Sequence, residues 1–190
     1  MEALILDCQS LELTEEQFYQ LCNNNPELRF ERSANGDLLI MPPTGGETGK
    51  KNAGINAQLW NWNHQQKLGI VFDSSTGFKL PSGANRSPDA SWILLAQWDS
   101  LTNEQKQKFL PLCPDFALEL LSPSDKLSKT QDKMQEYLEN GMKLGWLINS
   151  QNQQVEIYRQ GQEVEILDRP QNLSGERVMP GFVLDLETIW

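Results

Sequence analysis

The chain is poor in the residues that most often carry chemistry. It has one histidine and three cysteines, and its 16 basic side chains are outnumbered by 26 acidic ones. A single His64 cannot build a multi-histidine metal site, and a histidine-based triad would have to rest on it alone. Its neighbours Asn63, Gln65 and Gln66 read as a solvated helix position. Cys8, Cys22 and Cys113 are scattered, with no C-x-x-C, so neither a zinc site nor a disulfide framework is indicated. They read as buried, reduced thiols. No apolar run approaches the ~20 residues that span a bilayer. The N-terminal stretch Ala3 to Leu6 is short and lacks the basic lead-in of a signal peptide. The net charge of −10 argues against a nucleic-acid coat or a binder of anionic membranes. It leaves room for an enzyme with a local basic face. Repeats and low-complexity tracts are absent. These absences describe a soluble, cytoplasmic, globular protein with no membrane partner.

A length of 190 residues fits one domain. A chain of that size buries roughly 70% of its unfolded surface and needs no covalent staples. Thr14 followed by Glu15 and Glu16 starts a first helix over 14–22, with Phe18 and Leu21 on its apolar side. Asn35-Gly36 between two strand-like runs predicts a hairpin, closed by Pro42-Pro43. A second helix runs from about Glu47 to Lys67, with Ile55, Leu59 and Trp62 at helical spacing and Gly69 as its stop. Gly45 to Lys51 superficially suggests a phosphate loop, but Thr44 and Lys51 stand where the pattern needs Gly and Ser or Thr. It is a glycine-rich approach to the helix.

Strands follow at 70–72, 76–80 and 88–95, a short polar helix at 102–109, and a further strand at 114–121. Ser128 to Asn140 is a helix that turns Met134, Tyr137 and Leu138 inward and ends at Gly141. Leu144 to Asn149 is a near-continuous apolar strand, as in the middle of a sheet. Residues 155–159 and 163–167 pair across Gly161, and the tail from Phe182 to Trp190 is apolar enough to dock. The order describes an α/β (α+β) fold: a mixed central sheet flanked by helices, not a repeating βαβ array. The single domain divides into an N-terminal helix and hairpin over about 1–46, a core over about 47–149, and a C-terminal hairpin and tail over about 150–190.

Two acids stand out. Asp89 opens an apolar strand after Pro88, where a turn or capping role is the plain alternative. Glu119 lies inside Phe116-Ala-Leu-Glu-Leu-Leu121, and on a strand it shares a face with Ala117 and Leu121. A buried carboxylate costs free energy unless it is paired or binds a metal, so a structural ion pair is its plain alternative. Converging from neighbouring strands, the two would suit a hard divalent cation able to activate water beside a phosphate. Lys126, Lys129 and Lys133 fall three and four apart on the following helix. For the first two a solvated face is the plain alternative. Lys133 borders the apolar stripe and can reach toward the Glu119 strand.

In this order, Pro88-Asp89, the Glu119 strand running into Ser122-Pro123-Ser124, and Lys133-x-x-x-Tyr137-x-x-x-Gly141 resemble a restriction-endonuclease family abundant in cyanobacteria. That family lies within the PD-(D/E)XK nuclease-like superfamily, and the resemblance covers about residues 12–190. It implies a restriction-endonuclease-like core with Asp89 and Glu119 as ligands of Mg²⁺, or of Mn²⁺. The superfamily pattern carries a lysine two residues after the second acid, where this chain has Leu121. The resembled family supplies its lysine from the next helix, where Lys133 stands. Glu47 is similar in placement to a supporting acid of some members, and a histidine frequent near 50–54 is absent here. The function implied is Mg²⁺-dependent endonucleolytic hydrolysis of DNA, with Lys133 stabilising charge and orienting water. Lys50, Lys51, Lys126 and Lys129 are the candidates for contacts to DNA. A homodimer would serve to cut both strands. The alternative is a nuclease-like fold kept as a binding or assembly module without catalysis.

Overall fold

The computed structural model describes residues 3–190. The N-terminal segment forms strand β1 (Leu4–Leu6), helix α1 (Glu15–Asn24), and the hairpin β2 (Arg29–Arg32) and β3 (Leu38–Met41). Thr14 caps α1 through a capping box with Gln17, which satisfies two otherwise orphaned amides. The N-terminal apolar stretch thus supplies an edge strand, β1, paired with β3.

Helix α2 (Gly46–Gln66) follows, then β4 (Gly69–Asp73), β5 (Phe78–Lys79), β6 (Asn85–Arg86) and β7 (Ala90–Leu94). The α2 helix ends at Lys67, which adopts a left-handed conformation, rather than at Gly69. Gly69 belongs to β4, where a Cβ would collide with the Ile93 carbonyl oxygen and the Trp92 ring. Close strand approach, not helix termination, requires glycine there.

Two short helices, α3 (Leu95–Ser100) and α4 (Asn103–Lys106), lead to β8 (Phe116–Leu120), α5 (Leu127–Glu139), β9 (Leu144–Asn149), β10 (Gln154–Arg159) and β11 (Glu165–Asp168). The chain closes with the small pair β12 (Asn172–Ser174) and β13 (Val183–Asp185).

The main sheet has the order β11-β10-β9-β8-β7-β4, and β8 and β9 run parallel across the α5 connection while the other pairs are antiparallel. A second sheet has the order β1-β3-β2-β6-β5, so it draws strands from both sides of the boundary expected near residue 46. Its β5 and β6 lie between β4 and β7 in sequence but join the N-terminal hairpin through Arg32 and Asn85.

Each face of the main sheet has its own core. On one side Ile55, Leu59 and Trp62 of α2 pack with Trp92, Phe116, Leu118 and Trp146, closed by Leu184, Leu186 and Ile189 of the tail. On the other, Met134 and Tyr137 of α5 pack with Ala117, Leu121 and Leu147, joined by Phe78 and Leu80 near the second sheet. Full burial of one large apolar side chain is worth roughly 1.5–3 kcal/mol, so the pair of cores dominates stability. Trp190 is half-buried and donates to the Pro170 carbonyl at 2.9 Å, which helps dock the tail. Among the described residues, no helix is long and apolar enough to cross a membrane.

Candidate active site

The alternation of β8 divides its side chains between the two cores. Phe116, Leu118 and Leu120 face α2, while Ala117 and Leu121 face α5. Glu119 therefore points toward α5, and only 8% of it is exposed. Ala90 of β7 pairs with Leu118 of β8 in antiparallel register. One step further along that register sets Asp89 opposite Glu119. The half-buried Asp89 carboxylate is fixed there, because its Oδ2 accepts from the Leu120 amide at 2.9 Å.

Helix α5 brings the third group. Lys133 Nζ lies 2.8 Å from Glu119 Oε1, and also 2.8 Å from Glu31 Oε1 on β2. Only 14% of the lysine side chain is exposed, so its ammonium depends on these carboxylates for solvation. One turn along, Tyr137 donates its hydroxyl to Glu119 Oε1 at 3.0 Å. Burial and the neighbouring Glu119 and Glu31 charges hold the Tyr137 hydroxyl well above its usual range, so it remains a donor.

Glu31 was not foreseen from sequence, yet it is central. It is 3% exposed, and it accepts from the Ser87 amide at 3.0 Å and pairs with Arg86 at 3.1 Å. Arg86 pairs in turn with Glu136 of α5 at 2.5 Å. Glu31, Arg86, Glu136, Lys133 and Glu119 thus form one network that ties the second sheet to α5 and the main sheet.

Electrostatics separate the acids. Burial pushes the Glu119 carboxyl up to about 7; Lys133 opposes the rise, and Asp89 and Glu31 reinforce it. Burial also raises Asp89, against the Leu120 amide, Lys133 and Asn52. Glu31 is buried too, but Lys133 and Arg86 outweigh burial and hold it below the ordinary range. Lys133 is held above the ordinary ammonium value, because Glu119 and Glu31 outweigh its own desolvation. Strongly perturbed acids in one polar cluster mark a candidate for chemistry.

Helix α2 supplies the remaining wall. Asn52 donates its Nδ2 to Asp89 Oδ1 at 2.9 Å, and Asn56, one turn later, donates to the Asp89 carbonyl at 3.0 Å. The Oδ1 atoms of both asparagines are buried without a hydrogen-bond partner. A spacing of four between asparagines at the edge of an apolar stripe was the only sequence trace of this pair.

The structure thus brings Asp89, Glu119 and Lys133 together and leaves Glu47 outside. Glu47 is exposed in the first turn of α2, where it favours the helix dipole. Lys50, Lys126 and Lys129 are exposed, and Lys51 is half-buried. His64 is exposed and stacks on Trp60 at 4.7 Å. All three cysteines are free, and Cys22 is only half-buried.

Among the described residues, no three His, Cys, Asp or Glu side chains group as a metal centre. A cation held here would draw on Asp89, Glu119 and oxygens of other residue types. An all-oxygen set, with buried amide oxygens lacking partners at its edge, fits a hard divalent ion such as Mg²⁺ or Mn²⁺.

A family model described as "Uma2: Putative restriction endonuclease" matches residues 15–187. A crystal structure of a "putative nuclease belonging to DUF820" from Anabaena variabilis ATCC 29413 superposes with a TM-score of 0.73. The match has 20% sequence identity and covers 86% of this chain and 90% of that one. At that identity the likeness establishes the fold. No functionally curated protein matches the chain.

Proposed function

Since this chain belongs to the Uma2 restriction-endonuclease family, we propose that it is a divalent-metal-dependent endonuclease that hydrolyses phosphodiester bonds in DNA. The observation that carries this reading is the contact of Lys133 with Glu119 at 2.8 Å, with Asp89, just before β7, held on the Leu120 amide at 2.9 Å. Two carboxylates and one ammonium converge here, and their chemistry suits a cation and a phosphate.

The residues divide the work. Asp89 and Glu119 hold the cation, Mg²⁺ or Mn²⁺. Asp89 is oriented by the Leu120 amide and Asn52, and Glu119 by Tyr137. When bound, the ion neutralises phosphate charge and acidifies a coordinated water. Lys133 donates to the phosphate oxygen on which charge develops and helps orient the attacking water. Glu31 holds the ammonium in place during that step, and its own charge is balanced by Arg86.

The net charge of −10 repels DNA at long range. Lys50, Lys51, Lys126 and Lys129 supply the local attraction, so binding weakens steeply with salt. One such site cuts one strand; a homodimer would present two.

The test is nicking of supercoiled plasmid DNA with Mg²⁺, comparing wild type with Glu119→Gln. Metal-dependent nicking by the wild type, lost in the variant, is expected. Equal activity in both removes Glu119 from the site. A folded wild type that never cleaves favours the binding-module alternative.

A further inference from the structure

Asn52 occupies an unusual position for an uncharged side chain. Its Nδ2 is committed to Asp89 Oδ1 at 2.9 Å, which fixes the orientation of the amide. Its Oδ1 is bonded to the same carbon as that nitrogen, so the amide that holds Asp89 also carries a free acceptor. That oxygen is buried and has no hydrogen-bond partner. A buried amide oxygen without a partner costs about 1–3 kcal/mol, so a persistent orphan calls for an explanation.

The neighbourhood narrows the choice. Asn56 cannot supply the missing donor: its Nδ2 is already shared between the Asn52 and Asp89 carbonyls, at 3.0 Å each. The nearby Lys133 is engaged by Glu119 and Glu31. A hard divalent cation takes six or more oxygen ligands, and Asp89 and Glu119 alone fall short of that number.

We propose that Asn52 is a third protein ligand of the divalent cation: its N–H positions Asp89 while its Oδ1 coordinates the ion. This rests on the metal-dependent reading above and assigns to α2 the contribution that Glu47, exposed in the first turn, does not make.

The experiment uses Mn²⁺ as the probe and reads two quantities on the full chain. Calorimetry gives affinity, and broadening of the Mn²⁺ electron paramagnetic resonance lines in ¹⁷O-enriched water gives the number of bound waters. In Asn52→Leu the affinity falls about tenfold or more, and one additional water appears on the ion. In Asn52→Asp, which keeps an oxygen but loses the N–H, binding is retained with the wild-type water count. Asn52→Leu with an unchanged water count overturns the proposal, because a merely structural asparagine would not alter coordination. Asn52→Asp that loses affinity as badly as the leucine variant overturns it too, and remains decisive if Asn52→Leu fails to fold. Glu119→Gln separates the two claims. If Mn²⁺ binds the wild type and Glu119→Gln equally, or binds neither, the metal-dependent reading itself fails and Asn52 with it. If Glu119→Gln loses the ion and Asn52→Leu binds as wild type, only the Asn52 assignment falls.

Discussion

Lys133 of α5 and Glu31 of β2 are 102 residues apart in sequence and meet at 2.8 Å inside the protein. The same ammonium touches Glu119 at the same distance, so one lysine joins the N-terminal sheet to the candidate active site. This arrangement accounts for how a lysine delivered by a helix, rather than by the Glu119 strand itself, is held with precision. A long side chain on a helix has many rotamers, and two buried carboxylates remove that freedom.

Removing the ammonium separates chemistry from metal binding. Lys133→Met is expected to lower the rate of plasmid nicking by about 10²-fold, the usual cost of losing one preorganised donor. Mn²⁺ affinity measured by calorimetry should persist, because the two metal-holding acids remain and a nearby positive charge has gone.

Glu31 is expected to matter for stability first. Glu31→Gln leaves Arg86 and Lys133 each with one carboxylate instead of two. Unbalancing a buried ion-pair network costs about 3 kcal/mol, read as a lower urea midpoint. The pH dependence has a definite sign. Lys133 and Arg86 hold the Glu31 carboxyl below its ordinary value against the opposing effect of burial. Its contribution is complete above the unfolded value of about 4.3 and disappears as pH falls through the lower folded value. Wild-type stability should therefore drop on acidification below about pH 4, and Glu31→Gln should lose that part of the slope.

Two strand glycines give a contrast in packing. A Cβ at Gly69 would strike the backbone oxygen of Ile93, whereas at Gly145 it would meet the terminal methyl groups of Met142 and Met134. Backbone cannot yield, but methionine chains can rotate. Gly69→Ala should cost about 3 kcal/mol, and Gly145→Ala about 1 kcal/mol, by urea denaturation.

Much of this was legible along the chain. The Thr14 helix start, the Asn35-Gly36 turn, the α2 stripe and the strand holding Glu119 all follow from local chemistry. Asp89 and Glu119 were visible because a charge among apolar neighbours is conspicuous. Glu31 was not, because in Arg29-Phe-Glu-Arg it resembles the polar half of an ordinary hairpin strand. Its burial arises only when β2 pairs with β6 and α5 packs alongside, which is a tertiary event. Asn52 was hidden for a similar reason: an uncharged helix residue gains significance only once Asp89 is beside it. The Gly69 helix stop failed because glycine serves close packing as readily as chain reversal, and Lys67 took the left-handed position instead.

The most direct test is a crystal of the wild-type protein soaked in Mn²⁺ and measured at a wavelength where manganese scatters anomalously. The expected result is one strong anomalous peak within about 2.5 Å of carboxylate oxygens from both Asp89 and Glu119, with the Lys133 ammonium alongside. A peak bound elsewhere, or no peak at a Mn²⁺ concentration that supports cleavage, would contradict it.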